Sequence, residues 1–192
     1  MDILNLRQKL HSDLKDFIVN VGWTHKIHIV QSDRLFFWSN ILKVVQIVLS
    51  ALTSSGLVAI VLGKGTFGFN LAIAIVSFIT LAVNGFDKVL DLGKVAIKEK
   101  NDANNFWILR ERAKSLLSDV HFQTVKIENI KSKYDDLIEL RIKYNDSLLN
   151  VPKSVVKKAS KLIKERKDND YTEDYKYFIP EELMDLGECD DS

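Results

Sequence analysis

Apolar and polar positions are sharply segregated along this chain. No charged residue occurs from Val44 to Leu62 or from Gly65 to Phe86, while the sequence on either side is densely charged. A water-soluble protein spreads its apolar residues over amphipathic elements instead. The pattern predicts two membrane-spanning helices, 41–62 and 67–86. About 20 helical residues, each rising ~1.5 Å, cross the ~30 Å hydrocarbon core. Gly63-Lys64-Gly65-Thr66 is the whole connection, so the spans form an antiparallel hairpin. Lys43, near the start of the first span, has a stem long enough to reach the headgroups.

The flanks carry helical periodicity. Ile3, Leu6, Leu10, Leu14, Phe17 and Val21 recur at steps of three and four, which predicts an amphipathic helix over 3–35. Gly22 weakens it by ~1 kcal/mol relative to Ala. Ile27, Val30 and Leu35 extend its apolar side. Phe36, Phe37 and Trp38 follow, and such rings favour the headgroup level.

Beyond the hairpin there is no proline from Asp87 to Asn150 and a single glycine, Gly93. A coiled-coil-like seam, in steps of four and three, starts at Leu109 and ends at Leu148. Its main apolar positions are Leu109, Leu116, Val120, Ile127, Ile130 and Leu137. Only Gln123 and Arg141 depart from apolar or aromatic character. Asn101-Asp102-Ala103-Asn104-Asn105 is a candidate break, so one long helix and two shorter ones both stay open. Pro152 ends this stretch. Residues 153–167 read as a short basic amphipathic helix, and 168–192 as a disordered acidic tail with Tyr171, Tyr175, Tyr177, Phe178 and Ile179 as a small docking patch.

The expected architecture is all-α: a membrane protein with a two-helix transmembrane hairpin plus long cytoplasmic amphipathic, coiled-coil-like helices. It divides into an N-terminal helix (1–40), the hairpin (41–86), a C-terminal helical region (87–167) and the tail (168–192). The net charge of +1 hides this segregation. Cys189 is the only cysteine, which excludes an internal disulfide. Asp2, Asp13 and Asp16 with no early apolar run argue against a cleavable signal peptide. Lys26, Arg34 and Lys43 precede the hairpin, Lys88, Lys94, Lys98 and Lys100 follow it, and the turn holds only Lys64. By the positive-inside rule both termini are cytoplasmic.

Catalytic chemistry finds no foothold. P-loop, HExxH, nucleophile-elbow and CxxC patterns are absent, and Gly63-Lys64-Gly65-Thr66 lacks the upstream glycine and the strand that a phosphate loop needs. His25 and His28 share a helix face, but no further ligand lies nearby, so hydrogen bonding at a helix contact is preferred to a metal site. Neither a cofactor nor an enzymatic activity is expected. The basic helix lacks a base-reading pattern, so direct nucleic-acid binding is not expected either. Anionic lipid and the acidic tail are the other partners weighed for it, and a solvated helix is preferred.

The most informative residues lie inside the spans. Ser39, Lys43, Gln46, Ser50 and Thr53 form one polar stripe, and Asn70, Ser77 and Asn84 recur every seven residues in the second span. Polar side chains in a bilayer face protein or water rather than lipid. Each stripe therefore lines a water-filled path in an oligomer or packs against a neighbouring helix. The seam at 109–148 supplies a means of oligomerisation, or else a partner for residues 3–35 within the chain.

The order of elements resembles the SLATT family of two-transmembrane effectors, whose name refers to their association with SMODS and SLOG domains. The residues that carry the resemblance are HKIHIVQSDRLFFWSNILKVVQIVLSAL (25–52), the hairpin, WILRERAKSLLSDV (107–120) and YDDLIELRIKYNDSLLNVPKSVVKKA (134–159). The resemblance spans most of 10–165 and leaves out the tail. It implies a non-enzymatic effector at the bacterial inner membrane that oligomerises and forms a pore, stopping growth in nucleotide-signal-linked antiphage defence. Implied partners are the lipid bilayer, further copies of the chain, and an operon-encoded nucleotide synthase or sensor. The alternative is a membrane-anchored interaction scaffold without a pore.

Overall fold

The computed structural model describes residues 3–63 and 65–168. Lys64 and the acidic tail with its aromatic patch lie outside the described residues. Every element is helical: α1 (Ile3–Val61), α2 (Phe67–Leu90), α3 (Leu92–Phe122), α4 (Ile127–Asn145) and α5 (Lys153–Lys164). The chain divides into two compact units, Met1–Val151 and Pro152–Ser192.

α1 is one uninterrupted helix of 59 residues, ~90 Å long at the standard rise. The helix expected over 3–35 and the first span are thus a single rod, and no break marks the boundary at 40–41. Gly22 does not interrupt it. A Cβ placed on Gly22 would sit 3.5 Å from Arg110 Cδ, an ordinary contact.

At the far end of the rod the chain turns through Gly63, whose φ of +69° suits a residue without Cβ. Thr66 caps α2 by accepting a hydrogen bond from the Phe69 amide at 3.4 Å. α2 continues past Phe86 to Leu90 and stops at Asp91, which adopts the left-handed conformation (φ 36°, ψ 57°). Asp91 also caps α3, accepting from the Lys94 amide at 3.2 Å.

The candidate break at 101–105 does not form, because α3 runs through it. Asp102 and Ala103 turn inward, with Asp102 paired to Lys98 one turn earlier at 2.9 Å, while Asn101 and Asn104 lie on the exposed side. The region 87–150 breaks instead at Asp91 and at 123–126, where Gln123 takes a left-handed φ of 58°. α4 then folds back antiparallel to α3. Lys98 Nζ donates to Ser147 O at 2.5 Å, and the rings of Phe106 and Tyr144 meet edge-on at 6.3 Å.

The first third of α1, α3 and α4 enclose one apolar core. Leu10, Leu14, Phe17 and Val21 come from α1, Phe106, Leu109, Ala113, Leu116 and Val120 from α3, and Ile127, Ile130 and Leu137 from α4. Leu109, Leu116, Val120, Ile127, Ile130 and Leu137 are therefore covered within a single chain. Gln123 is spent on the α3 C-cap, and the Arg141 guanidinium lies 5.8 Å over the Phe17 ring. In the second unit, Pro152 is the extended N-cap residue that precedes α5.

Candidate functional site

α1 and α2 are both long and apolar enough to cross a membrane, and only 6% of the most apolar stretch of each is buried. The core helix of a soluble protein is mostly buried. Here Val61, Phe67, Phe78 and Leu81 expose their side chains outside the bundle.

Within the hairpin, the inward side of α1 facing α2 is Leu42, Gln46, Leu49, Thr53 and Gly56, all buried or half-buried at steps of three and four, and the buried Ser39 one step earlier meets Gly93 at the start of α3. The half-buried positions of α2 include Ile73, Val76, Thr80, Val83 and Asp87. Two contacts fix the register. The hydroxyls of Thr53 and Thr80 are 3.4 Å apart. Ile73 occupies the notch at Gly56, where an added Cβ would lie 2.6 Å from Ile73 Cγ1 and 3.1 Å from Cγ2. Small residues permit such close approach between membrane helices.

The first polar stripe is therefore split. Gln46 and Thr53 face α2 and Ser39 is buried against Gly93 of α3, while Lys43 and Ser50 are exposed beside them. On α2, Asn70 and Asn84 are exposed and Ser77 is half-buried. Lys43 and Ser50 each follow an α1 seam residue by four, as Ser77 and Asn84 follow Ile73 and Thr80. In an antiparallel pair these flanking positions of both helices fall on the same side. Lys43, Ser50, Asn70, Ser77 and Asn84 thus share one open face of the hairpin. The opposite face presents Val45, Leu52, Ala72, Ile79 and Phe86. The lone polar group there, Ser55, satisfies itself by donating to Ala51 O at 2.8 Å.

Outside the apolar stretch, the contact of α1 with α3 turns polar. Ser32 Oγ donates to Ala96 O at 2.8 Å, and His25 Nδ1 donates to Ala103 O at 2.9 Å. Between them, His28 Nδ1 and Glu99 Oε2 are 2.5 Å apart. Both members of that pair are buried. The other carboxylate oxygen, Glu99 Oε1, is buried without a hydrogen-bond partner. The His25 ring packs on Trp107 at 5.3 Å, and Arg110 stacks on the same indole at 4.4 Å. Burial holds His25 below the ordinary histidine pKa, aided by Arg110 and Lys26, while its bond to Ala103 O pulls the other way. At the helix junction, hydrogen bonding and charge from Lys94 lower the Asp91 carboxyl.

A family model described as SMODS and SLOG-associating 2TM effector domain family 4 matches residues 10–174. The chain belongs to the SLATT family. The match covers the helical bundle, the hairpin, α5 and the start of the acidic tail. No curated protein and no solved structure gives a match. Family and apolar hairpin together place this SLATT chain in a membrane.

Sequence reasoning grouped Ser39, Gln46 and Thr53 with Lys43 and Ser50, and missed Ser32, Glu99 and Arg110. A signal for part of this was present. His25, Ser32, Ser39, Gln46 and Thr53 recur every seven residues, and Leu14, Val21, His28, Leu35, Leu42, Leu49 and Gly56 form a parallel series. One face of α1 stays inward along the whole rod, against α3 first and α2 afterwards. Nothing in the sequence singles out Glu99 from the other acidic residues. No group of acidic, histidine and cysteine side chains suited to a metal ion occurs among the described residues.

Proposed function

We propose that this SLATT chain is a non-enzymatic effector of the bacterial inner membrane that assembles through its hairpins and permeabilises the bilayer. It acts in nucleotide-signal-linked antiphage defence, with a nucleotide synthase or sensor as its operon-encoded partner. Both termini and the bundle lie in the cytoplasm, in keeping with the positive charges that flank the hairpin.

The observation that carries this reading is the single polar face of the hairpin. Asn70 and Asn84 present exposed amides beside Ser50 and Lys43. Moving an amide from water into hydrocarbon without a partner costs roughly 4–8 kcal/mol. Hydroxyls escape that cost locally, as Ser77 does by donating to Ile73 O at 2.8 Å. Asn70 and Asn84 stand within a turn of the two ends of the 67–86 span, and an inward polar face keeps both amides, with Ser50 between them, in contact with water. Two helices cannot enclose a pore, so several copies place this face inward around water and turn the apolar face to lipid.

Potential-sensitive dye and propidium uptake in cells expressing the full chain test the proposal. Replacing Asn70 and Asn84 together with Leu should abolish leakage while the protein still inserts. Ile79→Val on the lipid-facing side should leave leakage unchanged. Membrane potential that stays intact in cells producing the wild-type chain with its operon partners triggered would refute the pore, and would favour the scaffold.

A further inference from the structure

We infer that the polar ladder between α1 and α3, centred on His28 and Glu99, is a latch that holds the hairpin closed. The inference rests on the proposed pore and assigns its regulation.

The rod geometry makes this interface the place where the membrane and the bundle communicate. α1 passes from the bundle into the apolar stretch with no break, and α2 passes into α3 through one residue, Asp91, held by its cap. A rotation of α1 against α2 therefore carries directly into the adjoining contact of α1 with α3. That contact differs from the rest of the core. Deep in the bundle it is made by Leu, Phe, Ala and Val side chains. Beside the hairpin it is made by Ser32 on Ala96 O, His28 on Glu99 and His25 on Ala103 O.

Stability alone does not explain a buried histidine–carboxylate pair at this position. Burying a carboxylate is costly even when one oxygen is hydrogen-bonded, and well-packed apolar residues at such a site are often as stable or more so. The unpartnered Glu99 Oε1 adds to the cost of burial. An apolar contact tolerates small slides, whereas a hydrogen-bonded pair fixes register and fails once its partners part and water enters. The distal core then keeps the bundle together while the arms separate beside the membrane. The charged groups along this interface include Arg110 and Lys26 around His25, and the Lys98–Asp102 pair on α3.

A disulfide lock tests this directly. A Cβ on Gly93 would lie 3.4 Å from Ser39 Oγ, close enough for Ser39→Cys/Gly93→Cys to bridge the arms with Cys189→Ser removing the native thiol. The oxidised lock should suppress dye leakage, and reduction should restore it. Glu99→Gln should lower the disulfide yield and bring leakage at an expression level on the order of tenfold lower. Because that variant can misfold, His28→Leu/Glu99→Met provides the counter-test: it keeps the contact packed and should leak less than wild type. A merely structural pair would make both variants less active. If the oxidised lock leaks like its reduced form, the latch is wrong and the pore stands. If no variant leaks in any state, the pore fails, and the latch with it.

Discussion

Gly56 gives the sharpest test of how the hairpin is packed. In the interior of a helix, replacing glycine with alanine ordinarily stabilises by ~1 kcal/mol. At Gly56 the new methyl would overlap Ile73, with Cγ1 at 2.6 Å and Cγ2 at 3.1 Å. Ile73 is β-branched and stiff at χ1, so relief requires the helices to part or the side chain to leave its rotamer. Overpacking of this kind costs about 1–3 kcal/mol, so Gly56→Ala should range from neutral to about 2 kcal/mol destabilising once the propensity gain is included.

Gly22→Ala is the internal control. It lies in the same helix, and its methyl would meet only Arg110 Cδ at 3.5 Å, so the propensity gain should survive. The difference between the two variants, about 1–3 kcal/mol, reports the contact with Ile73 alone. Denaturing-detergent titration of the full chain in mixed micelles, followed by tryptophan fluorescence and helix content, measures both. In an Ile73→Ala background the Gly56→Ala penalty should vanish. Equal effects at Gly22 and Gly56, or a coupling to Ile73 within ~0.5 kcal/mol of zero, would refute the register assigned to the hairpin.

Two further outcomes follow from the bundle and the junction. Burial depresses the His25 pKa below its ordinary 6.5, so the unfolded chain binds that proton first. Its contribution to stability is full above 6.5 and declines as pH falls toward the folded value. NMR titration should place His25 below 6.5, and His25→Gln should flatten stability across that acidic window; a midpoint at or above 6.5 would contradict the burial argument. At Asp91, φ of 36° favours glycine while the carboxylate caps α3. Asp91→Gly should therefore be tolerated better than Asp91→Ala, which loses the cap and keeps the backbone strain; the reverse order in thermal unfolding would rule out the left-handed junction.

Most of the fold is legible because membrane helices and amphipathic helices announce themselves by composition and period. Leu10, Leu14, Phe17 and Val21 are buried, as their spacing predicts. The helix ends were harder to read. Asn101–Asn105 looks like a break because its residues are polar, but a polar run on the solvent side of a helix costs little once Asp102 has Lys98 and Ala103 faces inward. The true breaks fall at Asp91 and Gln123, two non-glycine residues in left-handed conformations. Only the direction in which the chain must leave the helix imposes that geometry.

The sequence by itself determined that α1 and α2 are long, apolar and paired, and that polar residues recur along them every seven positions. Hydrophobic burial and helical period are properties of the local chain, so they can be read from it. Which polar residues face each other was decided by tertiary structure. Gln46 and Thr53 close onto α2 and Ser39 onto α3, while Lys43 and Ser50, one step round the same helix, stay open beside Asn70 and Asn84. That division depends on the register set by Gly56 and Ile73, a contact between residues from different helices. The same holds for His28 and Glu99, which are 71 positions apart in the chain and meet only because α3 folds back along α1.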